Sequence, residues 1–174
     1  MRYYTPYQGQ KTGDGVRNSV LILLLGIVLG ALSKWSDGHM AVWFAEVTSG
    51  ISLWIFLATV VALYSRTAKR AALNVLLLLG GMVGAYYLTA ILTNGVWGKS
   101  FLIGWGIAAL LSPIPGYLVW FAKGRSRRAW LLCVGVLAVQ IALVIVLFRT
   151  VRIFDIVIIL LTAVVLLMDK FGRR

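Results

Sequence analysis

Carboxylates, histidine and cysteine are nearly missing from this chain, which has five Asp and Glu, one His and one Cys in 174 residues. Each shortage removes a class of chemistry. With Cys133 alone there is no intrachain disulfide and no thiolate cluster. His39 has no second histidine to make an HExxH pair, and a catalytic zinc needs three protein ligands. No GxSxG elbow and no Walker-type glycine loop occurs, so neither serine hydrolysis nor nucleotide hydrolysis has its usual frame. Catalysis by paired intramembrane carboxylates would have only Glu46 and Asp155 to draw on. The reading is a chain without enzymatic chemistry, resident metal or cofactor.

What remains is apolar and basic. Hydrophobic residues make up 61% of the sequence and charged ones 13%. That leaves too little polar surface to cover a water-facing globule. A pI near 10.5 suggests nucleic acid at first. Nucleic-acid binding, however, needs a basic face on a folded domain. Here the cations stand in the gaps between apolar runs, where attraction to anionic inner-leaflet lipids is their natural role.

Six such runs follow a polar, aromatic tail over residues 1–18, and a spanning helix needs ~20 residues. They cover about 19–35, 42–64, 71–92, 101–121, 129–148 and 153–168. Arg17, the apolar core after it and Ala31-Leu32-Ser33 resemble a cleavable leader, but the segment is expected to stay attached as an anchor. Ser49-Gly50 is a weak point in the second run. With the N-terminus inside, the inner segments hold Arg2, Lys11, Arg17, Arg66, Lys69, Arg70, Lys123, Arg125, Arg127, Arg128, Lys170, Arg173 and Arg174. The outer loops hold Lys34, Lys99, Arg149 and Arg152. Thirteen of the seventeen cations therefore fall on one side. The positive-inside rule then gives an all-α polytopic protein, a bundle of six transmembrane helices with both termini cytoplasmic. Trp35, Trp43 and Trp97 at outer ends, with Tyr64, Trp120, Phe121 and Trp130 at inner ends, read as interfacial anchors.

Candidate functional groups are the polar and irregular positions inside the runs. Glu46 is either a carboxylate snorkelling to the outer surface or the partner of a ligand or cation in an outward cavity. Asp155 opens the sixth helix, where an acid complements the helix dipole and can pair with Arg152. Asn74 and Gln140 should bond neighbouring helices, since an amide facing lipid would be stranded. Tyr86, Tyr87 and Trp105 add phenols and an indole on the outer half, and aromatic walls with a few polar groups suit a small-molecule pocket. Gly26 with Gly30, and Gly80 with Gly84, are GxxxG pairs that let helices approach closely within the chain or against a partner. Pro113 and Pro115 remove two backbone donors and invite a kink or break.

Several stretches resemble a family of small multi-pass bacterial membrane proteins that carries no assigned activity. They are Ala31-Leu32-Ser33-Lys34-Trp35 with Asp37, Ser52 to Ala58, Tyr64-Ser65, Arg70 to Val75, Tyr86-Tyr87, and Trp105-Gly106 on to Ser112-Pro113. They lie within residues 19–124 and imply a bacterial cytoplasmic membrane. The architecture is also similar to the substrate-binding S-components of energy-coupling-factor transporters. In those, small residues of the first helix dock a membrane subunit, and Gly26 and Gly30 would match. The expectation is a small-molecule binding or transport subunit with an outward-facing pocket at Glu46, Tyr86, Tyr87, Trp105 and Asp155. The alternative is an accessory protein that binds partner subunits, a second copy or lipids.

Overall fold

The computed structural model describes residues 12–36, 46–48 and 50–171. Most of the tail, the first outer loop with Asp37, His39 and Trp43, the start of the second run, and Arg173 and Arg174 lie outside the described residues. Within them the chain is all-helical: α1 (Thr12–Ser36), α2 (Ile51–Tyr64), α3 (Ala68–Leu92), α4 (Lys99–Leu111), α5 (Pro113–Trp120), a 3-10 turn at Phe121–Lys123, α6 (Arg127–Phe148) and α7 (Ile153–Phe171). No strand occurs among the described residues.

Four stretches are long and apolar enough to cross a bilayer: Gly15–Ser36, Ala68–Leu92, Lys99–Lys123 and Arg127–Leu147. Two apolar helices are shorter, Ile51–Tyr64 and Ile153–Met168. The 14 residues of α2 reach about 21 Å, less than a ~30 Å hydrocarbon core. In the second apolar run residues 46–48 are helical, Gly50 is extended, and α2 begins at Ile51. At the other extreme, α1 begins at Thr12 rather than near residue 19. Gly13 and Gly15 are poor helix formers, but the Arg70 guanidinium lies over Gly15 and fills the space its missing side chain leaves, a tertiary contact that backs the added turn.

Exposed large apolar residues cover the bundle, among them Leu21, Leu24 and Val28 on α1, Ile103, Ile107 and Leu110 on α4, and Val134 and Val146 on α6. Monomers in water rarely expose contiguous patches of that kind. It is the surface of a membrane protein.

Cross-helix bonds alternate between two ends. At one end Lys34 of α1 meets Val96, Ser52 of α2 meets Asp155 of α7, and Glu46 meets Arg152. At the other, Ser19 Oγ donates to Asn74 Oδ1 at 2.7 Å, and Asn74 Nδ2 donates to Ser65 Oγ at 3.0 Å. The Ser65 carbonyl accepts from Trp120 Nε1 at 3.0 Å and Lys123 Nζ at 2.9 Å. Trp120, expected at the interface, is instead buried in this knot. Arg66, Arg70, Lys123 and Arg125 gather at this second end, and Arg125 Nη2 donates to the Lys170 carbonyl at 3.2 Å.

The α1–α3 seam is the tightest. A Cβ on Gly26 would overlap the Leu78 carbonyl oxygen, and one on Gly30 that of Met82. Gly81 answers from α3, its missing Cβ 3.1 Å from Leu23 O. Gly80 and Gly84 face open space and take no part in the seam.

Pro113 and Pro115 fall in the first turn of α5, and the break is slight because Ser112 keeps helical angles. Pro113 cannot donate to Ala109 O four residues back. The Ser112 hydroxyl supplies that bond at 2.7 Å, so the kink leaves this buried carbonyl satisfied.

Candidate functional site

The turn after α3 builds the first wall of a cavity. Asn94 takes a positive φ of 50°, which asparagine tolerates. Gly95 N then bonds Ala90 O at 2.8 Å and Asn94 N bonds Ile91 O at 3.2 Å, the pair of bonds of a Schellman motif. The chain is thereby turned so that Val96, Trp97 and Gly98 lie across from Tyr86 and Tyr87 on α3. Phe101 and Trp105 then follow one turn apart on one face of α4. Together with Trp54 and Val83 these residues enclose about 470 Å³, within the usual range for small-molecule sites.

Rings make the walls rigid. Tyr86 and Tyr87 meet edge-on with centroids 5.2 Å apart, and Tyr87 and Trp97 at 6.3 Å. Trp54 and Trp105 lie 5.3 Å apart, tilted by 41°. Trp54 is tethered, its indole N–H donating to Thr48 O at 3.0 Å. Behind Tyr86, buried Lys34 sits 5.3 Å from the ring centroid while donating to Val96 O at 3.0 Å. The ammonium therefore lies against an aromatic wall, in the geometry of a cation–π contact. The arrangement can hold an apolar or aromatic molecule. Among the described residues no three or more His, Cys, Asp or Glu side chains are gathered as a metal centre would require.

Tyr86, Tyr87 and Trp105 thus share one cavity, whereas Glu46 and Asp155 are not in its wall. These two acids are joined to each other through Arg152. Glu46 Oε2 is 3.6 Å from Arg152 Nη1, with the Glu46 side chain 44% exposed. Asp155 Oδ2 accepts from the Arg152 backbone N at 3.2 Å, the reach-back half of a capping box. Its Oδ1 accepts from Ser52 Oγ at 2.5 Å, and Gln140 Nε2 donates to Ser52 O at 3.2 Å. Asp155, Ser52 and Gln140 tie three helices together in the interior. Gln140 Oε1 is buried without a hydrogen-bond partner.

Phe101 is a wall residue that the sequence reading left in the background. The i, i+4 spacing of Phe101 with Trp105, and of Val83 with Tyr87, was a usable signal for shared faces. The role of Lys34 was hidden, because nothing local ties it to Val96 across 62 residues. No protein-family model, no curated protein and no solved structure matches the chain.

Proposed function

We propose that this chain is a six-span protein of the bacterial cytoplasmic membrane that binds or carries a small apolar or aromatic molecule in the Trp54/Tyr87/Trp105 cavity. The basic end, with Arg66, Arg70, Lys123 and Arg125, faces the cytoplasm under the positive-inside rule, and the cavity lies toward the opposite end of the bundle. One observation carries the reading: six aromatic rings, Trp54, Tyr86, Tyr87, Trp97, Phe101 and Trp105, converge on one cavity. Plain anchoring would scatter them along the membrane surface. Glu46 and Asp155 serve the outer end of the bundle as an ion pair and a cap.

The competing reading is an accessory subunit. Its original support, docking through Gly26 and Gly30, is weakened because α3 fills that groove. What favours it now is the open face of Gly80 and Gly84 on α3, between exposed Leu73 and Leu88.

Native mass spectrometry of the full chain released from membranes separates the two. A ligand-binding protein carries an added small-molecule mass that Trp105→Ala abolishes and Gly80→Leu leaves in place. A bare mass for the unmodified chain, with complexes broken by Gly80→Leu, would instead establish the accessory role.

A further inference from the structure

A second cavity adjoins the first. It measures about 450 Å³ and shares Trp54, Val83 and Trp105 with the aromatic one. Its floor is α2 and α3, and its walls are α4–α5 on one side and α6 on the other. Along those walls it extends from Trp105 to Val119 and from Leu131 to Leu143. At ~1.5 Å of rise per residue each stretch covers about 20 Å. The lining is almost wholly hydrocarbon: Thr59 and Ser112 bring its side-chain hydroxyls, and that of Ser112 is already committed to Ala109 O.

The groove has a closed floor and an open flank. Thr59 and Val75 are buried, while Leu131 is 71% and Val139 55% exposed. Space on the α6 side comes from Gly135, where an added Cβ would meet nothing within 4 Å. The shared partition has one fixed and one looser leaf. Trp54 is buried and held by Thr48, whereas Trp105 stands between Gly104 and Gly106, neither of which has a neighbour within 4 Å of its Cβ position.

We infer that the ligand is a single-chain amphiphile: its compact head lies in the aromatic cavity, and its hydrocarbon tail passes the Trp54–Trp105 pair into the groove. The inference rests on the aromatic cavity being the ligand site. Three observations choose this occupant. The groove runs about 20 Å along its walls, and it offers almost nothing to a polar molecule. It also adjoins, across the Trp54–Trp105 pair, the cavity lined by Tyr86 and Tyr87, with Lys34 against the Tyr86 ring. Its open flank lets a chain enter sideways from the bilayer, so the head need not cross the hydrocarbon core alone.

The test uses the full chain in phosphatidylcholine nanodiscs and two photoreactive probes, a hexadecanol with a mid-chain diazirine and a diazirine-bearing phenol without a tail. The alcohol should label α6 peptides around Gly135 and Val139, and the phenol peptides of the Tyr87–Trp105 region. Gly135→Phe should cut alcohol labelling about tenfold, the size of a lost anchoring contact, and leave phenol labelling unchanged. Excess unlabelled hexadecanol should suppress both. Because Gly135 faces open space, this variant should fold, and an unchanged melting temperature checks that. Phenol labelling with alcohol labelling that ignores Gly135→Phe would overturn the amphiphile and leave the aromatic site standing. Alcohol labelling that Gly135→Phe reduces, but which persists in Trp105→Ala and is not competed by phenol, would identify an ordinary bilayer chain and overturn the inference. Absence of phenol labelling at the aromatic residues would remove the site itself.

Discussion

Glycine does opposite work on the two sides of this bundle. On the α1–α3 side, Gly26 and Gly30 bring two backbones so close that no side chain fits, and Gly81 leaves only a tight space. On the α4–α6 side, Gly104, Gly106 and Gly135 have nothing near them. In lipid there is no hydrophobic drive between helices, and close packing of small residues is a main source of adhesion. The seam therefore supplies cohesion, and the other side, where small residues go unfilled, leaves room for cavities. A GxxxG pattern does not distinguish the two roles. What decides is whether another backbone lies across the glycine.

That contrast can be broken by substitution. The largest effect should come from Gly30→Leu, which forces a side chain into the Met82 carbonyl. Loss of about 3 kcal/mol or more, the upper range for overpacking, should appear as a collapse in detergent melting temperature and in the yield of monodisperse protein. Next is Asp155→Ala. It removes the reach-back cap of α7 and leaves Ser52 Oγ without its acceptor, for a cost of about 2–3 kcal/mol in the same melting assay. Asp155→Asn should recover roughly half of that, since an amide oxygen still accepts.

Trp105→Ala should divide stability from binding. The melting temperature should shift by the equivalent of about 1 kcal/mol, as for many single substitutions, while the co-purifying mass disappears. Smallest of all is Glu46→Gln. With Glu46 nearly half exposed and 3.6 Å from Arg152, the change should stay within about 0.5 kcal/mol and leave phenol labelling intact. A large loss of binding in this variant would put Glu46 back into the site.

Much of the helical layout was legible in the sequence, because long apolar runs separated by charged gaps have few other solutions. The weak point at Ser49-Gly50 and the irregularity at Pro113 were legible too, since glycine and proline act locally. The division of the candidate site was not. Glu46 and Trp54 are eight residues apart, yet one faces Arg152 and the other an aromatic cavity. Helices that are apolar all round carry little information on which face turns inward, and the rotation is set by contacts distant in sequence, such as Gly30 on Met82. The same ambiguity put Gly80 and Gly84 forward as packing positions, while Gly81, one residue away and about 100° around the helix, is the one in the seam. The Ser65 knot was equally hidden, since it draws Trp120 and Lys123 from 55 and 58 residues away.

The most direct measurement is a density map of the full chain in lipid nanodiscs, read in the two cavities. The account calls for α1 and α3 in backbone contact at Gly26 and Gly30, and for continuous elongated density from the Tyr87 side, past Trp54 and Trp105, toward Gly135. A map in which α4 and α6 close on each other over an empty, collapsed groove would contradict it.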